Sequence, residues 1–316
     1  MYASAQVKTY GLKSLLKKVI TKLSATLRKS SKLKYSDSGK LEKADIFIER
    51  FREIVSDPIN LLINRVPEAG YVDEKRCVIL HNGNRVPIDG RFSYYEGFSD
   101  ILIINRGVHE PLEEYCFQTM LAGLRTETPT MLELGAYWAH YSMWLKKAYP
   151  RGRCFMVEPE QDNIDCGKHN FEINRYEGEF IKETVGRTGF QLDAFASQRG
   201  ISELDVLHSD IQGYELEMLQ GGRTFLSENR AKYIFVSTHS ESLHHSVIDQ
   251  LKNYSYRIEV SSAVDTHTTS CDGLVLATSP HVDPLFESFS PLGRVDIARS
   301  SPDQLLQAVL SSRVNV

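Results

Sequence analysis

Between Thr130 and Ser279 the chain alternates short apolar runs with longer amphipathic stretches, and this rhythm constrains its fold more than any other feature. TMLEL, CFMVEP, EFIKETV, LDVLHSD and YIFVSTH read as strands. Each is followed by a segment of helical or loop character, in turn WAHYSMWLKKAY, QDNIDCGKHNFEIN, LDAFASQRG, GYELEMLQGG and SVIDQLKNY. Strands that alternate with helices favour a parallel, doubly wound sheet, because the crossover helix carries the chain back to start the next strand in the same direction. YRIEV and GLVLATS close the series with only a polar loop between them, which predicts an antiparallel edge.

Upstream, the apolar residues Leu12, Leu15, Leu16, Val19, Ile20, Leu23 and Leu27 recur at helical spacing with lysines between them. This is one apolar stripe on a basic helix, readable as a helix docked on the body or as one lying on an anionic membrane surface through residues 11–29. SSKLKYSDSGK then reads as a linker. ADIFIERFREIV has helical periodicity; CVILHNG and DILIINRG read as short strands between glycine turns, and Pro111 suits the first turn of a helix. The expected organisation is an arm and linker (1–40), an accessory, substrate-side region (41–125), the main domain (126–285) and a C-terminal extension (286–316).

Charge separates the arm from the rest. Of 37 basic and 41 acidic side chains, ten and one fall in residues 1–40, leaving 27 against 40 downstream. Phosphate recognition rests on concentrated positive charge, so the body is a poor candidate for binding nucleic acid. The five cysteines are dispersed without a C-x-x-C pair, which fits reduced thiols better than a disulfide or zinc framework. No apolar run reaches the roughly 20 residues of a membrane helix, and no signal-peptide pattern precedes the arm. A cytoplasmic protein, with peripheral membrane contact through the arm as the alternative, is expected.

The loop after the first strand of this series narrows the ligand. A dinucleotide loop uses G-x-G-x-x-G so that a pyrophosphate can approach bare backbone. Here those positions hold Gly135, Tyr137 and His140. The next strand ends at Glu158, 25 residues beyond Glu133, where a carboxylate can accept both hydroxyls of a ribose. One tight turn, two acids and aromatic walls from Tyr137 and Trp138 suit a ribose-bearing ligand without a diphosphate.

ELGAYWAHYS, VEPEQDN, LDVLHSDIQGYELEMLQGG and FVSTHS, in that order, resemble the successive motifs of FkbM-family methyltransferases over roughly residues 105–280. The resemblance implies a Rossmann-like class I methyltransferase sheet, doubly wound and mostly parallel with an antiparallel edge pair, plus an N-terminal helical or mixed extension. It also implies S-adenosyl-L-methionine as cofactor and methyl transfer, often to an oxygen of a sugar or natural product. Two positions depart from the family pattern: Ala139 stands where a second glycine is usual, and Gln212 stands in D-x-E-G. A cofactor- or partner-binding module without turnover is therefore the alternative, and a nicotinamide enzyme is disfavoured by the missing glycines.

The cofactor residues expected on this basis are Glu133, Gly135, Tyr137, Trp138, Ala139, Ser142, Glu158, Pro159, Asn163 and Asp210. Each has an ordinary structural alternative: Glu133 or Asn163 as a helix cap, Ser142 bonding within its helix, Trp138 as core, Glu158 in a surface ion pair. His239 is the expected general base, since an imidazole titrates near working pH, with Asp210 orienting it or contacting substrate or cofactor. A satisfied strand-end histidine is the alternative. His208, Gln212, His109 and Glu110 are substrate-side candidates, Glu215 either reaches the cleft or favours its helix start, and His244 and His245 are expected at the surface. Asp210 and His239 can also share a divalent metal, although no spacing motif compels one and none is predicted. The acceptor is expected to be a small molecule or glycan; oligomeric state is left open.

Overall fold

The computed structural model describes residues 46–94 and 99–311. The basic stripe at residues 11–29 lies outside the described residues. Helix α1 (Ile46–Ser56) leads through a 3-10 turn (Pro58–Leu61) to a two-stranded antiparallel ribbon, β1 (Cys77–Ile79) and β2 (Arg85–Pro87). Helices α2 (Asp100–Ile104) and α3 (Pro111–Gly123) follow. Pro111 opens α3, where its missing N–H costs nothing. The carboxylate of Glu114 accepts the N–H groups of His109 and Glu110 at 2.8 and 3.0 Å, giving an acceptor to two donors that the helix start leaves unpaired.

The main sheet is built from β3 (Thr130–Leu134), β4 (Arg153–Val157), β5 (Glu179–Ile181), β6 (Leu204–Ser209), β7 (Ala231–Thr238), β8 (Arg257–Ser262) and β9 (Gly273–Thr278). Their spatial order is β5-β4-β3-β6-β7-β9-β8. The first five run parallel; β9 pairs antiparallel with both β7 and β8, as the short final loop requires. The connecting helices are α4 (His140–Ala148), α5 (Gln161–Asn174), α6 (Leu192–Arg199), α7 (Glu215–Gly221), α8 (Arg223–Ser227) and α9 (Glu241–Asn253). Two more, α10 (Arg294–Arg299) and α11 (Pro302–Ser311), follow the sheet.

The strands' residue alternation sorts the core into two layers. Met131, Met156 and Phe235 face α3, α4 and the segment carrying β1, whereas Leu132, Val157 and Ile234 face α6 to α9. Phe117 of α3 is fully buried against Tyr141, Trp144 and Phe235, with ring centroids 4.9 to 5.5 Å away. Ile54, Val78, Leu80 and Ile101 join this same layer, so the segments preceding β3 share their core with the sheet. Residues from Arg50 onward form one compact unit.

Two local expectations are corrected. DILII, expected as a strand, is helix α2; five consecutive apolar residues carry no period that separates the two states. His244 is buried on α9 instead of exposed: it lies 2.8 Å from Thr238 Oγ1 and 2.9 Å from Ser261 Oγ, and burial lowers its pKa to about 4. His245 is exposed as expected. All five cysteines are free, and no described helix is long and apolar enough to cross a membrane.

Candidate active site

Order reverses on either side of β3, so its tip and those of β4 and β6 frame the crevice in which open α/β sheets bind ligands. The loop leaving β3 is held by its backbone. Gly135, Tyr137 and Ala139 take positive φ of 72, 42 and 60°. A methyl group on Gly135 would stand 1.7 Å from the Asp210 carbonyl oxygen, so only glycine lets β3 and β6 close here. Ala139 takes the left-handed conformation that the usual glycine would favour, immediately before α4. The N–H groups of Gly135 and Ala136 bind Val157 O, that of Tyr137 binds Glu158, and that of Ala139 binds Ala136 O. A diphosphate would find these four donors already used.

Glu158 is buried at the end of β4. One carboxylate oxygen accepts from Tyr137 N at 3.2 Å; the other accepts from Glu160 N at 3.0 Å and Asn163 Nδ2 at 3.1 Å. The carboxylate thereby fixes the two loops to one another, and Asn163 helps to place it. Pro159 follows in the same turn, half-buried. Glu133 is also buried, but its carboxylate accepts the N–H of Ser142 at 3.1 Å, serving the start of α4 from beneath. This is the capping alternative. Burial raises the Glu133 pKa, against the opposing pull of His208 and Ser142. Trp138 is buried, 4.6 Å from Tyr94 and 4.8 Å from His140 between ring centroids. The Tyr137 hydroxyl donates to Tyr94 O.

At the tips of β6 and β7 the structure assembles a charged cluster. His239 Nε2 lies 3.1 Å from Asp210 Oδ1 and 3.4 Å from Asp272 Oδ1, while Nδ1 lies 2.9 Å from Glu215 Oε1. Gln212 adds its carboxamide, 3.1 Å from Asp210 and 2.8 Å from His239 Nε2. Glu215, fully buried, thus reaches back to the cleft. Burial disfavours the His239 cation, but hydrogen bonds to Asp210 and Glu215 and the charge of Asp272 outweigh it and raise the pKa to about 10. Burial and the charge of Asp210 raise the Asp272 carboxyl to about 7. Glu110, half-buried nearby, is held well above its ordinary value by burial and by Glu113, Asp272 and Asp210. The hydrogen bonds to Asp210 and Glu215 and the charge of Asp272 thus favour the protonated form of His239, the side chain expected from the sequence to act as general base.

Asp272 was not singled out from the sequence, because it sits in the polar loop before β9 and reaches the cluster only through the antiparallel edge. His208, expected on the substrate side, is buried under the sheet instead, its Nε2 2.6 Å from Glu113 Oε1. His109 is buried as well, its Nδ1 2.6 Å from Glu114 Oε1. Glu113 and Glu114 are likewise buried. Among the described residues, two groups of side chains bring ligand atoms within 4.8 Å of one another, as a metal would require: Asp210, His239 and Asp272 at the tips, and His81, Glu114 and His140 in the interior. A cavity of about 870 Å³ opens at the other end of the sheet, beside Asp205 and Lys232, away from these strand tips.

A parallel five-strand run, a switch beside its first strand and an inserted antiparallel strand define the class I methyltransferase fold. On that fold, the Methyltransferase FkbM domain model matches residues 155–258, from β4 into β8. The match includes Glu158, Asp210 and His239 and stops short of the first loop and of Asp272. No curated protein matches the chain. Among solved structures, an FkbM methyltransferase from Methylobacillus flagellatus KT is 18% identical, with 50% of this chain and 45% of that one covered and a TM-score of 0.39. A precorrin-6y C5,15-methyltransferase from Geobacter metallireducens GS-15 is 15% identical over 51% and 86% of the chains, with a TM-score of 0.37. Fibrillarin from Aeropyrum pernix, with natively bound S-adenosyl-L-methionine, is 17% identical over 52% and 76%, with a TM-score of 0.36.

Proposed function

We propose that the protein is an S-adenosyl-L-methionine-dependent O-methyltransferase acting on a hydroxyl of a sugar or natural product. The observation that carries this reading is the acidic cluster of Asp210, Asp272, Glu110 and Glu215 at the strand tips, next to a loop whose N–H groups are already used. The surplus of carboxylates fits a cationic ligand. Glu158, with lone pairs beyond its three hydrogen bonds, fits a ribose diol; Gly135, Tyr137, Trp138 and Ala139 wall the site. Ser142 and Glu133 support it from beneath by fixing the start of α4.

Bound S-adenosyl-L-methionine would supply an electrophilic methyl group. Asp272, with its carboxyl near 7, is matched to accept the proton of an acceptor hydroxyl at neutral pH. The imidazolium of His239, fixed by Asp210 and Glu215, presents positive charge toward developing negative charge on the acceptor oxygen. The base role thus passes from His239 to Asp272. Gln212, lacking a charge, donates to Asp210 and offers the acceptor a neutral hydrogen-bonding partner.

Calorimetric titration with S-adenosylhomocysteine and NAD tests the cofactor, and mass spectrometry of a host extract incubated with isotopically labelled S-adenosyl-L-methionine tests the acceptor. Binding of the homocysteine compound and a labelled ether product are expected. NAD binding alone refutes the cofactor, and a label found only on nitrogen refutes the acceptor.

A further inference from the structure

We infer that His81, Glu114 and His140 form a buried transition-metal site that ties the segment carrying β1 to helices α3 and α4. The three side chains come from distant parts of the chain and are 1, 0 and 2% exposed. Their ligand atoms lie within 4.8 Å of one another. Glu114 divides its work: Oε1 caps α3 and lies against His109 Nδ1, while Oε2 faces His81 Nε2 at 2.8 Å. Glu114 Oε2 and His81 Nε2 thus face only each other, while His81 Nδ1 and both nitrogens of His140 have no hydrogen-bond partner. A polar group buried without a partner is costly, and several converging on one point are explained by a shared cation.

The surroundings fit the same assignment. Trp144 stands edge-on to His81 with ring centroids 4.3 Å apart, and Trp138 stacks on His140 at 4.8 Å, closing the site with apolar walls. Glu114 is oriented by two backbone N–H groups and by His109, the kind of outer support that metal-binding carboxylates have. Two imidazoles and one carboxylate suit zinc or another borderline divalent metal better than magnesium or calcium. A metal held this way would be acquired as the chain folds and would clamp α4, the helix that follows the Gly135 loop.

Elemental analysis and cobalt(II) substitution of the full chain test this without reference to methyl transfer. The expected result is about one metal per chain, a visible cobalt absorption band, and a melting temperature lowered by chelator and restored by zinc. His81→Gln and His140→Phe should lose the metal, whereas Asp272→Asn should keep it. No metal and no cobalt band in the wild-type protein would overturn the inference, as would retention by His140→Phe or loss in Asp272→Asn alone. Should the histidine variants fail to fold, X-ray absorption of the zinc form decides. Two imidazoles with only nitrogen and oxygen donors support the site, and a single imidazole assigns the metal to the strand tips instead.

Discussion

Replacing Gly135 by alanine tests whether the joint between β3 and β6 is what positions the cleft. Two costs can be separated. Holding an alanine at φ of 72° in the left-handed region costs about 1–2 kcal/mol. The new methyl would also stand 1.7 Å from the Asp210 carbonyl oxygen, where ordinary contact begins at 3.4 Å. The strand tips must separate by a comparable distance, straining the Asp210 N–H to Leu134 O bond of 2.9 Å that joins them. Overpacking of this kind adds about 1–3 kcal/mol, and the weakened hydrogen bond roughly another 1 kcal/mol. The sum, roughly 3–6 kcal/mol, is a large share of the ~5–15 kcal/mol that stabilises a typical domain, and at about 2 °C per kcal/mol predicts a melting temperature lower by roughly 6–12 °C. Gly200 is the control: its φ is 61°, but a methyl there would meet nothing within 4 Å, so Gly200→Ala carries the strain without the clash. Thermal denaturation by circular dichroism, with S-adenosylhomocysteine calorimetry on whatever remains folded, reads both variants. If Gly135→Ala melts with Gly200→Ala and binds like the wild type, the joint is not what fixes the site.

Four further outcomes are expected. Glu158→Ala should weaken S-adenosylhomocysteine binding by about 1–3 kcal/mol, the scale for hydrogen bonds to a charged group, and calorimetry measures it directly. Methyl transfer should rise with pH as Asp272 deprotonates near 7 and fall again as His239 loses its proton near 10; Asp272→Asn should abolish the acidic limb and lower the rate by roughly 100-fold or more. His244 has a folded pKa near 4, below its ordinary 6.5, so the stability it confers as a neutral group is complete above 6.5 and lost as pH falls toward 4. Acid titrations of melting temperature should show this loss, and His244→Gln should lessen it. Phe117→Ala should cost about 3–5 kcal/mol by opening a cavity between α3 and the sheet, read by denaturant unfolding.

The parallel sheet was legible because each strand-helix pair repeats the same change of period, and the strand tips at Glu158, Asp210 and His239 followed from where each apolar run stops. What the sequence hid were properties that depend on neighbours distant along the chain. His244 lies on one helical stripe with Val247 and Leu251, a spacing that marks it as inward-facing once α9 is drawn to its full length. Glu133 and Glu158 occupy matching strand ends, yet the register sets them apart: Glu133 is the penultimate residue of β3 and caps α4 from beneath, whereas Glu158 lies beyond β4 and closes the loop above. The charge state of His239 follows the same logic. A lone imidazole at a strand end is a base near neutral pH, but Asp272 arrives from the antiparallel edge and Glu215 from the next helix, and together with Asp210 they hold the proton in place. The charge pattern of the cleft therefore depends on the edge pair β8-β9 as much as on the parallel strands: Asp272, the carboxylate proposed to take the acceptor's proton, enters only where that pair folds back against β7.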